Sequence, residues 1–428
     1  MNASVQTHTL NNGLLILTKE IHTVPLVSQW IWYRVGSRNE VRGKTGISHW
    51  VEHMQFKGTP KYPINVLDQA ISRDGGFWNA MTSLDWTTYF ETLPSDKLEI
   101  ALDLEADRMV NSLYDPQETE LERTVVISER EGNENEPLFR LGEAVNLAGF
   151  AAHPYRNQVI GEMQDLHAIT RDQLFGHYRS HYSPNNALLA LAGDFDTPAV
   201  IERLKELYEG ISAMESGKFI PQPEDTLPEN QRIELEGPGD TVYLQVSYRS
   251  PAANSADFFA LTVLDSLLTG PSSLAMFGGG SISNKTSRLY RLLVEKDKAV
   301  SVSGGLQATI DPYLYDILAI LPPDKSVDEA QRVIDEQIDR LQNEPIKEAE
   351  IARAVKQAKA LFAYGSENIT NQAFWMGYAS MFADHTWFDQ FIPNLEQVDA
   401  ESLKRTAQKY LRNDRRIIGI YRPRNNGK

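Results

Sequence analysis

A short internal repeat is the feature that most limits how this chain can fold. The segment Leu93-Pro94-Ser95-Asp96-Lys97 recurs 228 residues later as Leu321-Pro322-Pro323-Asp324-Lys325. Each copy follows a strand-like run that contains a tyrosine, and each precedes a helical pattern and then a second helix that is begun by a proline, Pro116 or Pro345. A repeated order of elements indicates two homologous domains. We therefore expect an α+β protein whose two domains are each a mainly antiparallel sheet packed with helices.

The chain is also long enough for two domains, because 428 residues exceed what one hydrophobic core usually serves. Between residues 216 and 240 the sequence becomes rich in Pro, Gly, Glu and Asp without clear periodicity, which is typical of an interdomain linker. We predict a first domain at residues 1–215, a linker at 216–240 and a second domain at 241–428.

The composition narrows the classes of function. Lys and Arg number 42 against 58 Asp and Glu, and the net charge of -16 would repel a phosphate backbone, so we expect no nucleic-acid partner. The chain has no cysteine, so any metal must be held by His, Asp or Glu. The first twenty residues do not resemble a secretion signal and no apolar run is long enough to span a membrane, so we expect a cytoplasmic location.

The segment His49-Trp50-Val51-Glu52-His53 has the spacing of metal ligands. A helical pattern runs from Gly46 through Phe56, and residues four apart lie on one face of a helix. His49 and His53 can therefore present imidazole nitrogens to one ion while Glu52 stays beside it uncoordinated. A catalytic zinc takes three ligands from protein and leaves a fourth position for water, so a third ligand must come from elsewhere.

A second predicted helix supplies two candidate carboxylates. Asp115 is a suitable N-cap for this helix, and Pro116 suits its first position. Glu122 and Glu129 follow seven residues apart, which is two turns of one helical face. One of the two can bind the metal, and Glu122 suits the other role, that of orienting a histidine ligand through its second ring nitrogen.

This set of residues fits the hydrolysis of a peptide bond. Two neutral imidazoles and one carboxylate leave a zinc ion with net positive charge, which lowers the pKa of its bound water to roughly 7. We predict that Glu52 acts as the general base that takes the proton from this water and passes it to the leaving amine.

The residues around this motif resemble the active-site helix of the inverzincins, the family of pitrilysin, insulin-degrading enzyme and mitochondrial processing peptidase. The resemblance rests on the run from Gly46 to Thr59 and on a second run from Glu122 to Glu129, whose order and spacing match the two signatures of that family. It implies a zinc metalloendopeptidase with one zinc ion per chain. It also implies that His49, His53 and Glu129 are the ligands.

Further segments resemble the family pattern, among them Asn79-Ala80-Met81-Thr82-Ser83. In that family the strand that carries the Asn-Ala pair lines the cleft, and the substrate adds to its edge through backbone hydrogen bonds. The resemblance therefore assigns substrate binding to Asn79 and Ala80. The alternative is an ordinary sheet edge with a structural asparagine.

The second half of the chain departs from the family at two positions, and this departure predicts a partner subunit. It contains no H-x-x-E-H, and Val294 and Val300 stand where the family commonly has an arginine and a tyrosine that hold the substrate carbonyl. Neither valine can donate a hydrogen bond to an oxyanion. We predict that a homologous partner subunit, itself lacking the zinc motif, supplies this pair in a heterodimer. Arg288, Tyr290 and Arg291 are the alternatives within the chain.

The competing function is a non-catalytic core or scaffold subunit, which this fold also supplies in respiratory complexes. Such subunits usually have an eroded zinc motif, whereas His49, Glu52, His53 and Glu129 are all present here. The prediction is therefore a peptidase that acts on peptides or short unfolded segments.

Overall fold

The computed structural model describes residues 4–214, 221–271 and 283–424. The strands are β1 Gln6–Thr9, β2 Leu15–Glu20, β3 Leu26–Tyr33, β4 Phe77–Thr82, β5 Thr87–Pro94, β6 Ala187–Gly193, β7 Gln231–Gly237, β8 Val242–Arg249, β9 Ser301–Leu306, β10 Leu314–Leu321 and β11 Ile417–Pro423. The α-helices are α1 Ile47–Met54, α2 Ile64–Ser72, α3 Leu98–Asn111, α4 Pro116–Glu134, α5 Pro137–Gly149, α6 Met163–Ala168, α7 Arg171–His181, α8 Thr197–Tyr208, α9 Ala256–Leu268, α10 Val327–Asn343, α11 Glu348–Gly365, α12 Ile369–Phe382, α13 Thr386–Glu396 and α14 Ala400–Tyr410.

The described strands form two sheets, and the second sheet has the topology of the first without β1. The first has the order β1-β2-β6-β3-β5-β4 and the second the order β7-β11-β8-β10-β9. In each sheet one pair is parallel, β2 with β6 and β7 with β11, and the remaining pairs are antiparallel. The repeated segments leave the ends of the corresponding strands β5 and β10. The prediction of two homologous α+β domains with mainly antiparallel sheets is confirmed.

Contacts between residues divide the chain into two compact units that interleave in sequence. One unit comprises Met1–Arg130, Asn157–Pro221 and Glu367–His385, and the other comprises Glu131–Arg156, Gln222–Ser366 and Thr386–Lys428. Each half of the sequence thus gives one helical segment to the sheet of the other half. The predicted boundaries at residues 1–215, 216–240 and 241–428 follow the composition of the chain rather than these contacts, and they remain a prediction.

The segment interpreted as a linker contains a regular element. Strand β7 lies within it and pairs in parallel with β11. Ile233 and Leu235 alternate there with Arg232, Glu234 and Glu236. This alternation is the pattern of a half-exposed edge strand. The high content of charged residues obscured that pattern in the sequence.

Helix α12 completes the core of the first unit, although it comes from the second half of the sequence. Phe374 lies edge-on to Trp30 with ring centroids 5.2 Å apart, and Tyr378 lies 6.3 Å from Trp32. Gly377 lets the helix backbone approach, because a Cβ there would lie 1.9 Å from Nε1 of Trp32. The two buried tryptophans of β3 are therefore covered by this helix.

Helix α5 has the reciprocal position in the second unit, where it packs on β11. Gly419 of that strand permits the contact, since a Cβ there would lie 2.9 Å from Cγ2 of Val145 and 3.0 Å from Cδ1 of Leu141.

Across the described ranges, no helix is both long enough and apolar enough to pass through a membrane.

Candidate metal centre

The helix that carries the two histidines begins at a tightly enclosed glycine. Gly46 caps α1 in the left-handed conformation, with φ of 85°. A Cβ on Gly46 would lie 2.3 Å from the carbonyl oxygen of Ile160, and a Cβ on Gly161 would lie 2.4 Å from that of Thr45. Only glycine fits such a conformation and approach without strain. The two glycines therefore fix where α1 starts.

Two buried carboxylates hold the backbone at this helix start. Glu40 accepts hydrogen bonds from the backbone N–H groups of Gly46 and Ser48, both at 2.8 Å. Asp165 accepts from the N–H of Thr45 at 2.9 Å and from its hydroxyl at 2.7 Å. The first N–H groups of a helix have no partner within the helix, so these contacts stabilise the turn that precedes and begins α1.

Helix α4 is fixed beside α1 by a cap and by an arginine. Asp115 accepts hydrogen bonds from the N–H groups at the first turn of α4, which confirms it as the N-cap. The Arg123 guanidinium lies over the Trp50 ring at 4.6 Å and donates to the carbonyl oxygens of Leu166 and Ile169 at 2.6 and 2.8 Å. These contacts bring the carboxylates of α4 to the histidines of α1.

His49, His53 and Glu129 each present one potential ligand atom within 4.8 Å of the others. The Oε2 atom of Glu129 lies 3.9 Å from Nε2 of His49 and 3.7 Å from Nε2 of His53. Two ligands of a tetrahedral zinc ion are about 3.3 Å apart, given bonds of about 2.0 to 2.1 Å. The spacing and the two-nitrogen, one-oxygen donor set therefore fit zinc, and the structure brings the three predicted ligands together.

Glu122 lies where a residue that orients His53 should lie. Its Oε1 is 2.7 Å from Nδ1 of His53, which leaves Nε2 of that ring directed to the ligand group. Lys57 forms an ion pair with Oε2 of the same carboxylate. Burial alone would raise the pKa of Glu122, but the hydrogen bonds with His53 and Lys57 outweigh it and lower that pKa.

The two histidines differ in their electrostatic environment. Burial lowers the pKa of His49 to about 3, helped by the nearby His53. Burial would also lower the pKa of His53, but the bond to Glu122 and the adjacent carboxylates outweigh it and raise the pKa above 6.5. Nδ1 of His49 is buried and has no hydrogen-bond partner within the described part of the chain. Glu122 therefore sets the tautomer of His53 but not that of His49.

Glu52 lies beside this group and is nearly buried. Burial raises its pKa to about 7, although a hydrogen bond from Thr82 acts in the opposite direction. The Thr82 hydroxyl donates to Oε2 of Glu52 at 2.6 Å. A carboxyl group with a pKa near neutral can both accept and return a proton at physiological pH.

Strand β4 forms the edge of the first sheet next to α1. Among the described strands it pairs with β5 alone, so its other edge has no strand partner in the described part of the chain. Asn79 is exposed on this strand and Ala80 is buried, with the Asn79 side chain accepting a hydrogen bond from the Ala80 N–H at 2.9 Å. The assignment of substrate binding to these two residues remains a prediction.

Two residues near the site were not assigned a role from the sequence, Thr82 and Lys57. Both lie inside the segments that carry the family resemblance, but the sequence did not indicate what either side chain contacts.

In the second unit Val300 is exposed, and the Arg288 guanidinium donates two hydrogen bonds to the Glu350 carboxylate at 2.8 and 2.9 Å.

Comparison with protein-family models gives two adjoining matches. Residues 15–162 match the model described as Insulinase (Peptidase family M16), and residues 168–358 match the model described as Peptidase M16 inactive domain. Together the two matches span most of the chain, and the first contains the whole ligand group.

Curated relatives and solved structures agree with these matches. An uncharacterized zinc protease of Mycobacterium leprae is 27% identical over 98% of this chain and 93% of its own length. The probable beta subunit of the mitochondrial-processing peptidase of Arabidopsis thaliana is 24% identical over 94% of this chain and 75% of its own length. The crystal structure of a protease from Helicobacter pylori superposes with a TM-score of 0.88 and 26% identity, covering 99% of this chain and all of that one.

Proposed function

Because this chain belongs to the M16 family of zinc metallopeptidases, we propose that it is a zinc-dependent endopeptidase with its active centre at His49, His53 and Glu129. The observation that carries the proposal is the convergence of these three donors beside a buried Glu52 whose pKa is about 7. Because this family also includes inactive domains, the intact site is the feature that favours a peptidase over a scaffold subunit.

The three donors would hold one Zn²⁺ ion, with Glu122 orienting His53 from behind. Bound there, zinc would polarise the scissile carbonyl and make a bound water more acidic. Glu52 accepts a proton from the attacking water and delivers it to the amine nitrogen as the peptide bond breaks. Its raised pKa suits both halves of that transfer, since the carboxyl can exist in either state near pH 7.

The substrate would be a peptide or a short unfolded segment that lies along the edge of β4. An extended chain added to this edge forms backbone hydrogen bonds, which do not depend on side-chain identity. Asn79 and Ala80 lie on the strand that would make those bonds, and Thr82 joins the same strand to Glu52.

We further propose that the chain acts with a homologous partner that lacks the zinc motif. The side chains of Val294 and Val300 cannot donate hydrogen bonds, and the Arg288 guanidinium already binds Glu350. The name of the Arabidopsis relative, a beta subunit, supports a two-chain enzyme. The partner would supply the missing arginine and tyrosine, and the whole assembly would act in the cytoplasm.

The test combines zinc content with cleavage of internally quenched peptides by the purified chain. We expect about one zinc per chain, and we expect Glu52→Gln to retain the metal while abolishing cleavage. Glu118→Gln, on the first turn of α4, serves as a control that should keep both. Zinc-free protein that cleaves nothing with any homologous chain present would instead favour the scaffold function.

The partner is tested by comparing the chain alone with the chain co-expressed with a homologue that lacks H-x-x-E-H. Full activity in a monomer or homodimer would contradict the heterodimer. If the chain alone is weak because the pair is missing, Val294→Arg combined with Val300→Tyr should raise its activity, whereas the same changes should add little when the partner is present.

A further inference from the structure

We propose that Thr82 is a positioning residue that holds the Glu52 carboxylate in its catalytic orientation, and that it thereby links the substrate-binding strand to the general base. This inference rests on the proposed peptidase function. The contact that carries it joins Oγ1 of Thr82, on β4, to Oε2 of Glu52, on α1, at 2.6 Å.

The hydroxyl protons near this contact have one consistent arrangement. The Thr87 hydroxyl donates to the carbonyl oxygen of Val35 at 2.9 Å. Oγ1 of Thr82 lies 3.4 Å from Oγ1 of Thr87 but only 2.6 Å from Glu52. Since a hydroxyl has one proton, the geometry directs that of Thr82 to the carboxylate. Oε2 of Glu52 therefore receives a hydrogen bond donated by the Thr82 hydroxyl.

Thr82 is held in place by the hairpin that it ends. It is the last residue of β4 and lies opposite Thr87 of β5, and the N–H of Ser83 then bonds the Trp86 carbonyl at 2.8 Å. A Cβ on Gly36 would lie 2.4 Å from the carbonyl oxygen of Ser83, so the turn is packed closely against that glycine. The hydroxyl is thus attached to a firmly placed backbone.

The position of Thr82 in the strand gives the link to substrate. Side chains alternate along a strand, so Thr82 and Ala80 share a face, and Asn79 lies on the other. A peptide that adds to the edge of β4 fixes the backbone of this strand. Through Thr82, that constraint reaches Glu52, which itself lies on a different element.

The first experiment measures kcat and KM on a quenched peptide for the zinc-loaded protein, with whatever partner chain the wild type requires. Thr82→Val keeps the shape of the side chain and removes the hydroxyl. We expect kcat to fall about ten- to a hundredfold with little change in KM, as for a misplaced catalytic group. Thr82→Ser restores the hydroxyl and should recover most of kcat. Zinc content should stay near that of the wild type in both.

Thr92→Val is the matched control. Thr92 lies opposite Phe77 at the far end of the same hairpin, about 17 Å from Thr82 along the strands, and donates to Ser28. Loss of the Thr92 hydroxyl should lower the free energy of unfolding without a change in kcat.

A second measurement does not depend on activity. In zinc-free protein, the shifts in unfolding midpoint caused by Thr82→Val and by Glu52→Ala should not add in the double variant, because both substitutions remove the same hydroxyl–carboxylate hydrogen bond. Additive shifts, or a Thr82→Val protein with the kcat of the wild type, would overturn the role of Thr82 while Glu52-dependent cleavage stands. Absence of any Glu52-dependent cleavage in the wild type would overturn the proposed function and this inference together.

Discussion

Glu122 lies between a histidine and a lysine, with one carboxylate oxygen 2.7 Å from Nδ1 of His53 and the other paired with Lys57. The histidine nitrogen that faces Glu129 is the one on the opposite side of the ring. A negatively charged residue that is itself held by a lysine can fix both the tautomer and the rotation of the ring. This arrangement leads to a measurable effect on metal affinity.

Replacing Glu122 should weaken zinc binding without abolishing it. We expect Glu122→Ala to lower the affinity about 10- to 100-fold, because the ring of His53 loses the acceptor that orients it. Competition with a chromogenic chelator measures the change. Glu118→Ala, one turn earlier on α4, is the control and should leave the affinity unaltered. Equal affinities for the wild type and Glu122→Ala would contradict the orienting role.

The pH dependence of zinc binding should reflect the loss of a proton from one histidine, His53, rather than from both histidines. Zinc requires neutral imidazoles. His49, with a pKa of about 3, is already neutral at mildly acidic pH, whereas the raised pKa of His53 keeps its proton to above pH 6.5. The logarithm of the association constant should therefore rise by about one per pH unit up to the pKa of His53 and then level off.

Chelator competition across a pH series tests this slope. A slope of two would mean that both imidazoles carry protons in the free protein. In Glu122→Ala the plateau should begin at lower pH, because the hydrogen bond that raises the pKa of His53 is gone.

Gly161→Ala should destabilise the protein more than another left-handed glycine does. Gly161 has φ of 87°, and a Cβ there would lie 2.4 Å from the carbonyl oxygen of Thr45. Gly43 has the same φ and no atom within 4 Å of such a Cβ, so Gly43→Ala isolates the backbone strain, about 1 to 2 kcal/mol. We expect Gly161→Ala to cost at least about 2 kcal/mol more because of the clash. Urea denaturation measures both, and equal losses would argue against close packing at the start of α1.

Gly377→Ala should destabilise the first unit although alanine favours helices. A Cβ at Gly377 would overlap the Trp32 ring, so we expect a loss of about 1 to 3 kcal/mol. Gly176, within α7, has nothing within 4 Å of such a Cβ, and Gly176→Ala should instead stabilise by up to about 1 kcal/mol. Thermal unfolding of the two variants decides the matter, and a stabilised Gly377→Ala would show that α12 does not need this close approach.

Much of the local structure followed from the sequence, because the rules involved act over a few residues. The i, i+4 spacing of His49 and His53 predicted one helical face, and the helix lies at Ile47–Met54. Asp115 before Pro116 predicted the start of α4. The repeat predicted two sheets of similar construction, because homologous segments satisfy the same backbone hydrogen bonds in the same order.

The exchange of α5 and α12 between the two units could not be predicted in this way. The apolar residues of each helix show that it must be buried, but not which sheet covers it. That choice depends on the fit between Gly377 and Trp32 in one unit and between Gly419 and Val145 in the other. Such fits join residues hundreds of positions apart, and a single sequence does not record them.

The sequence by itself predicted the donor set of the candidate metal centre, because residue type and helical spacing are properties of short segments and two such segments resemble the signatures of a known family. Only the tertiary structure decided the state of those groups. Three features arise where separate elements meet. Burial raises the pKa of Glu52, Lys57 forms an ion pair with the carboxylate that orients His53, and the Thr82 hydroxyl lies 2.6 Å from Glu52. The free energy of a charge depends on the dielectric and the partners around it, and these exist only once the chain has folded.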